Sequence, residues 1–172
     1  MELRDAKGMT EQEFLEVYRS KHYPAPYLTA DAAVLSEDGD VLLIRRKGHP
    51  FMGCWALPGG FVNPNENART AALRELAEET GILGIPKTAV HEIGLFSDPG
   101  RDPRGWVVSD AYLVRVKKDE VRFCAGDDAA DAAWIAVGRN GDELVLPEGV
   151  TLAFDHGDVL KKAFALRDLL ER

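Results

Sequence analysis

The segment of residues 59–81 constrains the fold of this chain more than any other part of its sequence. Asn67 is a residue type that caps helix N-termini, and Gly81 is typical of the position just past a helix end, so residues 67–80 are predicted to be helical. One face of this helix carries small apolar residues, namely Ala68, Ala72 and Leu76. We therefore expect a helix that packs closely against a sheet.

The other face of this helix carries three carboxylates. Glu75, Glu78 and Glu79 are spaced i, i+3 and i+4, so they project from one turn and repel one another. A divalent cation would reverse that penalty, because Mg²⁺ prefers carboxylate oxygens and is commonly shared between acidic side chains and substrate phosphates. Arg74 lies one turn before Glu78 and can hold an acidic neighbour in position. The alternative is an ordinary solvated helix face.

The residues before the helix favour the metal-site interpretation. Gly59 and Gly60 follow Pro58 at the end of an apolar run. Backbone at such a place can turn sharply and present a carbonyl or an amide to a ligand.

Strands are predicted on both sides of this segment. Residues 27–35 and 41–46 favour extended structure, and the polar residues 37–40 between them indicate a hairpin turn. Further strands are predicted at 55–57, 90–96, 106–116 and 133–137, and further helices after the capping residue Thr10 and over 155–170. Because strands outnumber helices and do not alternate with them regularly, the predicted class is α+β, with helices on the faces of a mixed sheet.

The charge balance argues against one class of function. With 29 acidic and 21 basic residues the formal net charge is −8, which disfavours a basic surface that grips nucleic acid. A phosphorylated small molecule can still bind where arginines or a divalent cation overcome this field. Cys54 and Cys124 show neither metal-ligand spacing nor a disulfide framework, and no stretch approaches the length of a membrane span. We expect a cytoplasmic protein with neither nucleic acid nor membrane as a partner.

The spacing of these residues matches a known motif, the Nudix box. Its fixed positions are all present, as Gly60, Glu66, Arg74-Glu75-Leu76, Glu78-Glu79 and Gly81-Ile82. The chain resembles the Nudix hydrolases, whose fold is a mixed sheet sandwiched between helices in an α/β/α arrangement. The resemblance runs from about residue 27 to the last helix. We predict a Nudix domain over 25–172 and an N-terminal extension with a short helix over 1–24.

The resemblance also implies a metal and its ligands. The expected cofactor is Mg²⁺ or Mn²⁺, and its implied ligands are the Gly59 carbonyl with Glu75, Glu78 and Glu79. Many members add an acidic ligand from a loop ahead of a late strand, and Asp128 is the expected residue here. The alternative is that Asp127 and Asp128 only turn the chain.

The remaining positions of the motif have implied roles in catalysis and in loop structure. Arg74 would orient a metal-bound carboxylate, while Glu66 and Gly81 would support the loops around the helix. The implied reaction is attack of water on a phosphorus of a diphosphate, with metal lowering the pKa of that water. Glu75 is the expected general base, and Arg74 and Glu79 complete the catalytic set.

A second resemblance concerns the substrate. Residues 94–105 are similar to the corresponding segment of ADP-ribose pyrophosphatases, and also to the Nudix domains of regulators of NAD metabolism. Arg101 and Arg104 in this segment could grip a phosphate or a ribose. The alternative is a rigid turn with solvated arginines. The substrate implied is ADP-ribose, which would give AMP and ribose 5-phosphate.

Other substrate contacts are expected from strands and from the glycine turn. Arg45 and Arg46 point to opposite faces of their strand, and Arg45 is preferred because Arg46 shares its face with apolar residues. Trp55 could stack on a base, although it is more often a core residue, and Gly60 would contact the ligand through its backbone.

Three alternatives to ADP-ribose hydrolysis remain open. Pro99 falls a few residues later than the proline of ADP-ribose hydrolases, which leaves nucleoside-diphosphate sugars such as GDP-mannose and oxidised nucleotides as substrates. A non-catalytic domain that senses ADP-ribose belongs to a different functional class, but the motif here is intact. A homodimer is expected by analogy with the resembling hydrolases.

Overall fold

The computed structural model describes residues 3–124, 129–141 and 143–172. Three α-helices lie in these ranges: α1 (Glu11–Ser20), α2 (Ala68–Thr80) and α3 (His156–Leu170). The strands there are β1 (Tyr27–Ser36), β2 (Val41–Arg46), β3 (Trp55–Ala56), β4 (Gly59–Phe61), β5 (Val90–Phe96), β6 (Val107–Val116), β7 (Ala129–Ile135), β8 (Gly138–Asn140) and β9 (Glu143–Val145). A single 3-10 turn, Lys87–Ala89, precedes β5 in the described chain.

A mixed sheet of seven strands forms the centre of the described chain. β1 pairs in parallel with β6 along its whole length, from Tyr27 opposite Val107 to Ser36 opposite Val116. On its other edge β1 pairs antiparallel with β4 and then with β2, and the sheet continues to β3, β5 and β7. β8 and β9 form a separate hairpin. The predicted mixed sheet is confirmed.

Helices cover both faces of this sheet because successive side chains of β1 point to opposite sides. Ala32 and Val34 of β1 pack in a buried cluster with Ala71, Ala72 and Leu76 of α2. Its neighbours Ala33 and Leu35 belong to a second cluster that contains Val159, Leu160, Ala163 and Phe164 of α3. The α/β/α arrangement is therefore confirmed.

The helix ends follow the caps in the sequence. Asn67 accepts a hydrogen bond from the Thr70 amide at the start of α2, and Gly81 ends that helix with a φ of 74°, in the left-handed region that favours glycine. The capping box at Thr10 is present, with Glu13 completing it. α1 buries none of its residues. The division into an extension over 1–24 and a domain over 25–172 stays a prediction.

Two parts of the sheet differ from the sequence prediction. β7 starts earlier than the predicted strand at 133–137, because β2 pairs with it from Val41 to Arg46. β4 was not predicted, since two of its three residues are glycines and glycine is depleted in strands. β4 is extended because it pairs with β1, and not because its own residues favour a strand.

Among the described residues, no helix is long and apolar enough to cross a membrane.

Candidate active site

The glycine turn and α2 meet at the centre of the site. β4 sets Gly59 opposite Asp31 and Gly60 opposite Ala30 of the central strand. The Gly59 amide donates a hydrogen bond to a Glu79 carboxylate oxygen at 2.9 Å. A Cβ on Gly60 would lie 2.5 Å from the Glu75 carboxyl group. Glycine is therefore required at Gly60, where a carboxylate of α2 lies against the backbone, and at Gly59, where a Cβ would meet Asp31 and the Ala30 carbonyl of β1.

Arg74 ties α2 to the loop before it. Its guanidinium donates to both carboxylate oxygens of Glu66, at 2.9 and 3.0 Å, and to the Phe61 carbonyl at 2.9 Å. It also donates to Glu75 at 2.7 Å and to Glu78 at 3.1 Å. The hydrogen bonds from Arg74 lower the pKa of Glu66, and those to Glu66 raise the pKa of Arg74. This is the arrangement expected if Arg74 orients a neighbouring carboxylate and Glu66 supports the loop.

The carboxylates of α2 differ in burial. Burial raises the pKa of Glu79 to about 8, with the nearby charges of Glu75 and Asp31 adding to the effect and the Gly59 amide opposing it. Burial also raises the pKa of Glu75, against the pull of Arg74. The Glu78 side chain is 58% exposed. Two carboxyl groups of this helix are thus held where an additional positive charge would stabilise their ionised forms.

The donor set fits a hard cation. Glu75 and Glu79 are partly buried carboxylates that repel one another beside the Gly59 backbone, and oxygen donors of this kind suit Mg²⁺ or Mn²⁺. Within ranges 3–124, 129–141 and 143–172, no group of three or more His, Cys, Asp or Glu side chains is already assembled around a metal position. The expected ligand Asp128, with Asp127, lies outside the described residues.

A pocket opens beside the glycine turn, next to the carboxylates of α2. Its lining includes Asp31, Arg46, Arg101, Arg104, Phe154 and His156. Arg101 makes a bidentate ion pair with Asp155, at 2.6 and 2.7 Å, and its side chain is only 4% exposed. Arg104 pairs in the same bidentate manner with the buried Asp102. Because Asp155 binds Arg101, its side chain does not cap α3.

Phe154 links two of these arginines. The Arg46 guanidinium lies 4.9 Å from the ring centre of Phe154, and that of Arg104 lies 5.5 Å from it. The residue has a φ of 52°, which is strained for a bulky side chain. The fold therefore holds Phe154 in this place against a local preference.

The structure places Arg46, and not the preferred Arg45, in the lining of the pocket. The pairing of β2 with β7 shifts its register between these two residues, so the simple alternation of the strand fails there. Arg46 lines the pocket, whereas the exposed Arg45 donates to the Gly53 carbonyl at 3.1 Å. Trp55 packs against the apolar cluster under α3 and is not part of the pocket lining. Arg101, Arg104 and Gly60 also line the pocket, and their contact with substrate stays a prediction.

The sequence analysis did not find the buried polar residues Asp31 and His156 of the pocket lining, or Ser109, which contacts Asp31. A hydroxyl–carboxylate hydrogen bond joins Ser109 to Asp31, and the Nδ1 of His156 accepts from the Leu57 amide at 2.9 Å. Burial lowers the pKa of His156, so its ring is neutral. In the sequence, this group could have been recognised from Asp31, an acidic residue within a mostly apolar strand.

Comparisons with known proteins agree with this geometry. Residues 26–149 match the model of the NUDIX domain. The chain is 38% identical over 158 residues to an ADP-ribose pyrophosphatase of Methanocaldococcus jannaschii, covering 92% of this chain and 83% of that protein. It is also 35% identical to the ADPR responsive transcriptional repressor NtrR of Acinetobacter baylyi, covering 91% of this chain and 60% of the repressor.

A solved structure of a NUDIX domain has a fold similar to that of this chain. The NUDIX domain of Shewanella oneidensis NrtR, crystallised with ADP ribose, is 30% identical to this chain and superposes with a TM-score of 0.74. The match covers 92% of this chain and 99% of that domain. The motif on α2, the sandwiched sheet and these relatives together establish that the chain belongs to the Nudix family.

Proposed function

We propose that this protein hydrolyses the diphosphate bond of ADP-ribose, giving AMP and ribose 5-phosphate, with Mg²⁺ or Mn²⁺ as its cofactor. One observation carries the proposal. The carboxylates of Glu75 and Glu79 and the arginine-lined pocket meet at the same two glycines, Gly59 and Gly60. A diphosphate that bridges this turn would have a cation site at one side and guanidinium groups at the other.

The choice of substrate is supported by the relatives. An ADP-ribose pyrophosphatase is similar over 92% of this chain, and a similar domain has been crystallised with ADP ribose. Arg101 and Arg104, in the segment that first suggested ADP-ribose, both lie in the pocket lining.

The side chains of α2 divide the work of binding and proton transfer. Glu75, Glu79 and the Gly59 carbonyl would hold the metal, with Glu78 and Asp128 as further proposed ligands. The bound metal would neutralise phosphate oxygens and lower the pKa of the attacking water. Glu75, oriented by Arg74 at 2.7 Å, accepts the proton of that water in the proposed mechanism.

The pocket would bind the substrate. Arg46 lines the pocket, and its Nε donates to the Pro50 carbonyl at 2.8 Å, which restrains the guanidinium. Arg101 and Arg104 are held by carboxylates in the same way. Guanidinium groups fixed in this manner lose little conformational entropy when they bind a phosphate.

A second candidate is a domain that binds ADP-ribose without hydrolysing it. The observation that favours it is the similarity to the transcriptional repressor over 91% of this chain. We prefer the enzyme because every fixed position of the motif is retained, including the three glutamates on α2.

The protein is further proposed to act in the cytoplasm as a homodimer that binds no nucleic acid. The net charge of −8 supports the last point. Light scattering of the purified protein tests the homodimer, and a gel-shift assay with duplex DNA tests the absence of nucleic-acid binding.

A substrate panel with Mg²⁺ tests the proposed function. Release of nucleoside monophosphate is measured from ADP-ribose, ADP-glucose, GDP-mannose and an oxidised nucleoside triphosphate. The expected result is the highest kcat/KM for ADP-ribose and no release in EDTA. Tight binding of ADP-ribose in calorimetry with no turnover at any metal concentration would favour the sensing domain instead.

A further inference from the structure

The pocket lining contains a hydrogen-bond donor, on His156, and a hydrogen-bond acceptor, on Asp31, that lie close together but are not bonded to each other. Asp31 and His156 are both buried in the pocket lining, and the His156 Nε2 lies 3.9 Å from the Asp31 Oδ1. That separation is too long for a hydrogen bond between them. Among the residues that the structure describes, no side chain or backbone group accepts a hydrogen bond from Nε2.

The roles of the two atoms are fixed by their other partners. The Leu57 amide donates to the His156 Nδ1 at 2.9 Å, so Nδ1 carries no proton and the neutral ring carries it on Nε2. Ser109 donates to the Oδ2 of Asp31, which leaves Oδ1 as an acceptor on the pocket side. The pocket thus presents one N–H donor and one carboxylate acceptor within 3.9 Å of each other.

A hydroxyl group matches this pair. It can accept from Nε2–H while it donates to Oδ1, and an oxygen about 2.8 Å from both atoms spans their separation. A phosphate oxygen cannot do the same, because it has no proton to give to Asp31 at neutral pH. An ammonium group cannot accept from Nε2–H.

The surroundings of the pair indicate which hydroxyl compound would bind. Arg46, Arg101 and Arg104 line the same pocket, and the glycine turn connects it to the proposed metal site. A hydroxyl close to phosphate charge is the chemistry of a phosphorylated sugar. We propose that Asp31 and His156 form a specificity site that binds a sugar hydroxyl of the nucleoside-diphosphate substrate.

This inference rests on the proposed function for the identity of the substrate, but it can fail independently. Binding is measured by calorimetry in Ca²⁺, for ADP-ribose and for the methyl ester of ADP, which keeps the diphosphate and lacks the second sugar. The 2′-deoxyadenosine form of ADP-ribose, which lacks a hydroxyl of the first sugar, identifies which ribose is bound.

Two variants remove the donor and the acceptor separately. Asp31→Asn keeps the shape of the side chain but weakens the acceptor, and His156→Asn keeps an acceptor for the Leu57 amide while it removes Nε2–H. Asp158→Asn is the matched control, because Asp158 is an exposed residue of α3 that pairs with Lys161. Melting temperatures of all variants show whether they fold.

We expect the wild-type protein to prefer ADP-ribose over one of the two analogues by about 10- to 100-fold in Kd, the range for a hydrogen bond to a charged group. Each pocket variant should reduce that preference to within about threefold, and Asp158→Asn should leave it unchanged. A preference that survives in folded Asp31→Asn and His156→Asn would overturn the specificity site. Loss of the preference in a protein without turnover would overturn only the proposed hydrolysis.

Discussion

Two groups of charged side chains flank the Gly59–Gly60 turn, and they differ in how their charges are balanced. On the side of α2, the single guanidinium of Arg74 forms ion pairs with Glu66, Glu75 and Glu78. Glu79 forms no ion pair with any residue that the structure describes. On the side of α3, Arg101 and Arg104 each have their own carboxylate, in the pairs Arg101–Asp155 and Arg104–Asp102.

The difference separates two functions. The α2 side has an excess of negative charge in a buried place, so it gains stability from an added cation. The pocket is close to neutral and its side chains are already held by hydrogen bonds, so it can present fixed donors and acceptors to a ligand.

Glu79→Gln should lower kcat for ADP-ribose by about 100- to 1000-fold, the range for loss of a group that stabilises developing charge. The glutamine can still accept from the Gly59 amide, so the turn should keep its structure. AMP release at saturating Mg²⁺ is the measurement. Glu120→Gln, at an exposed residue paired with Lys117, is the control and should not change kcat. Equal activity of the two variants would mean that the α2 side does not carry the chemistry.

Gly60→Ala should lower kcat/KM by about 10- to 100-fold, because the added methyl group would displace the Glu75 carboxylate that lies 2.5 Å from its position. Gly48→Ala is a matched control, since a Cβ there meets no atom within 4 Å. Steady-state kinetics of both variants give the comparison. If Gly60→Ala retains full activity, then Glu75 does not need its present position.

Arg74→Lys should reduce the free energy of unfolding by about 1.5–3 kcal/mol, because lysine cannot reproduce the bidentate contact with Glu66 or reach three carboxylates at once. Arg115→Lys changes an exposed pair with Glu171 and should cost less than about 1 kcal/mol. Urea denaturation measures both variants. Equal losses would show that Arg74 acts as an ordinary surface cation.

The metal-free protein should lose thermal stability as the pH rises from about 5 to 8. The folded-state pKa of Glu79, about 8, lies above its unfolded value, so the folded protein holds a proton that the unfolded chain has already released. Stability is therefore highest at low pH within this window and falls until Glu79 ionises. The expected fall in Tm is roughly 5 °C in EDTA.

Added Mg²⁺ should raise Tm more at pH 8 than at pH 6, since it compensates the ionised carboxylate. Glu79→Gln in EDTA serves as the control, because the variant has no proton to lose at this position and should show a flatter profile. A wild-type profile as flat as that of the variant would place Glu79 in a solvated environment.

Much of the fold was predictable because its signals are local. The caps at Asn67 and Gly81 define α2 within one residue, and the capping box at Thr10 defines the start of α1. β4 could not be predicted in this way. Its glycines have no strand preference of their own, and only pairing with β1 orders them.

The candidate site likewise has one part that local sequence predicts and one part that it does not. Glu66, Arg74, Glu75 and Glu79 lie close together in sequence, and their placement follows from the helix and its preceding loop. The pocket combines residues from β1, β2, the 98–105 loop and the start of α3, so no local pattern could assemble it. The position of Arg46 in the pocket lining could not be predicted for the same reason, because the register shift between Arg45 and Arg46 arises from pairing with β7.

The sequence by itself determined the family and the α2 motif, because helical geometry alone brings residues three and four apart together. Only the tertiary structure decided the partial burial of Glu79, the ion pairs of Arg101 and Arg104, and the approach of Asp31 to His156, which lie 125 positions apart in the sequence. Burial and long-range pairing depend on how the sheet and its two covering helices pack, and that is a property of the whole chain rather than of any segment.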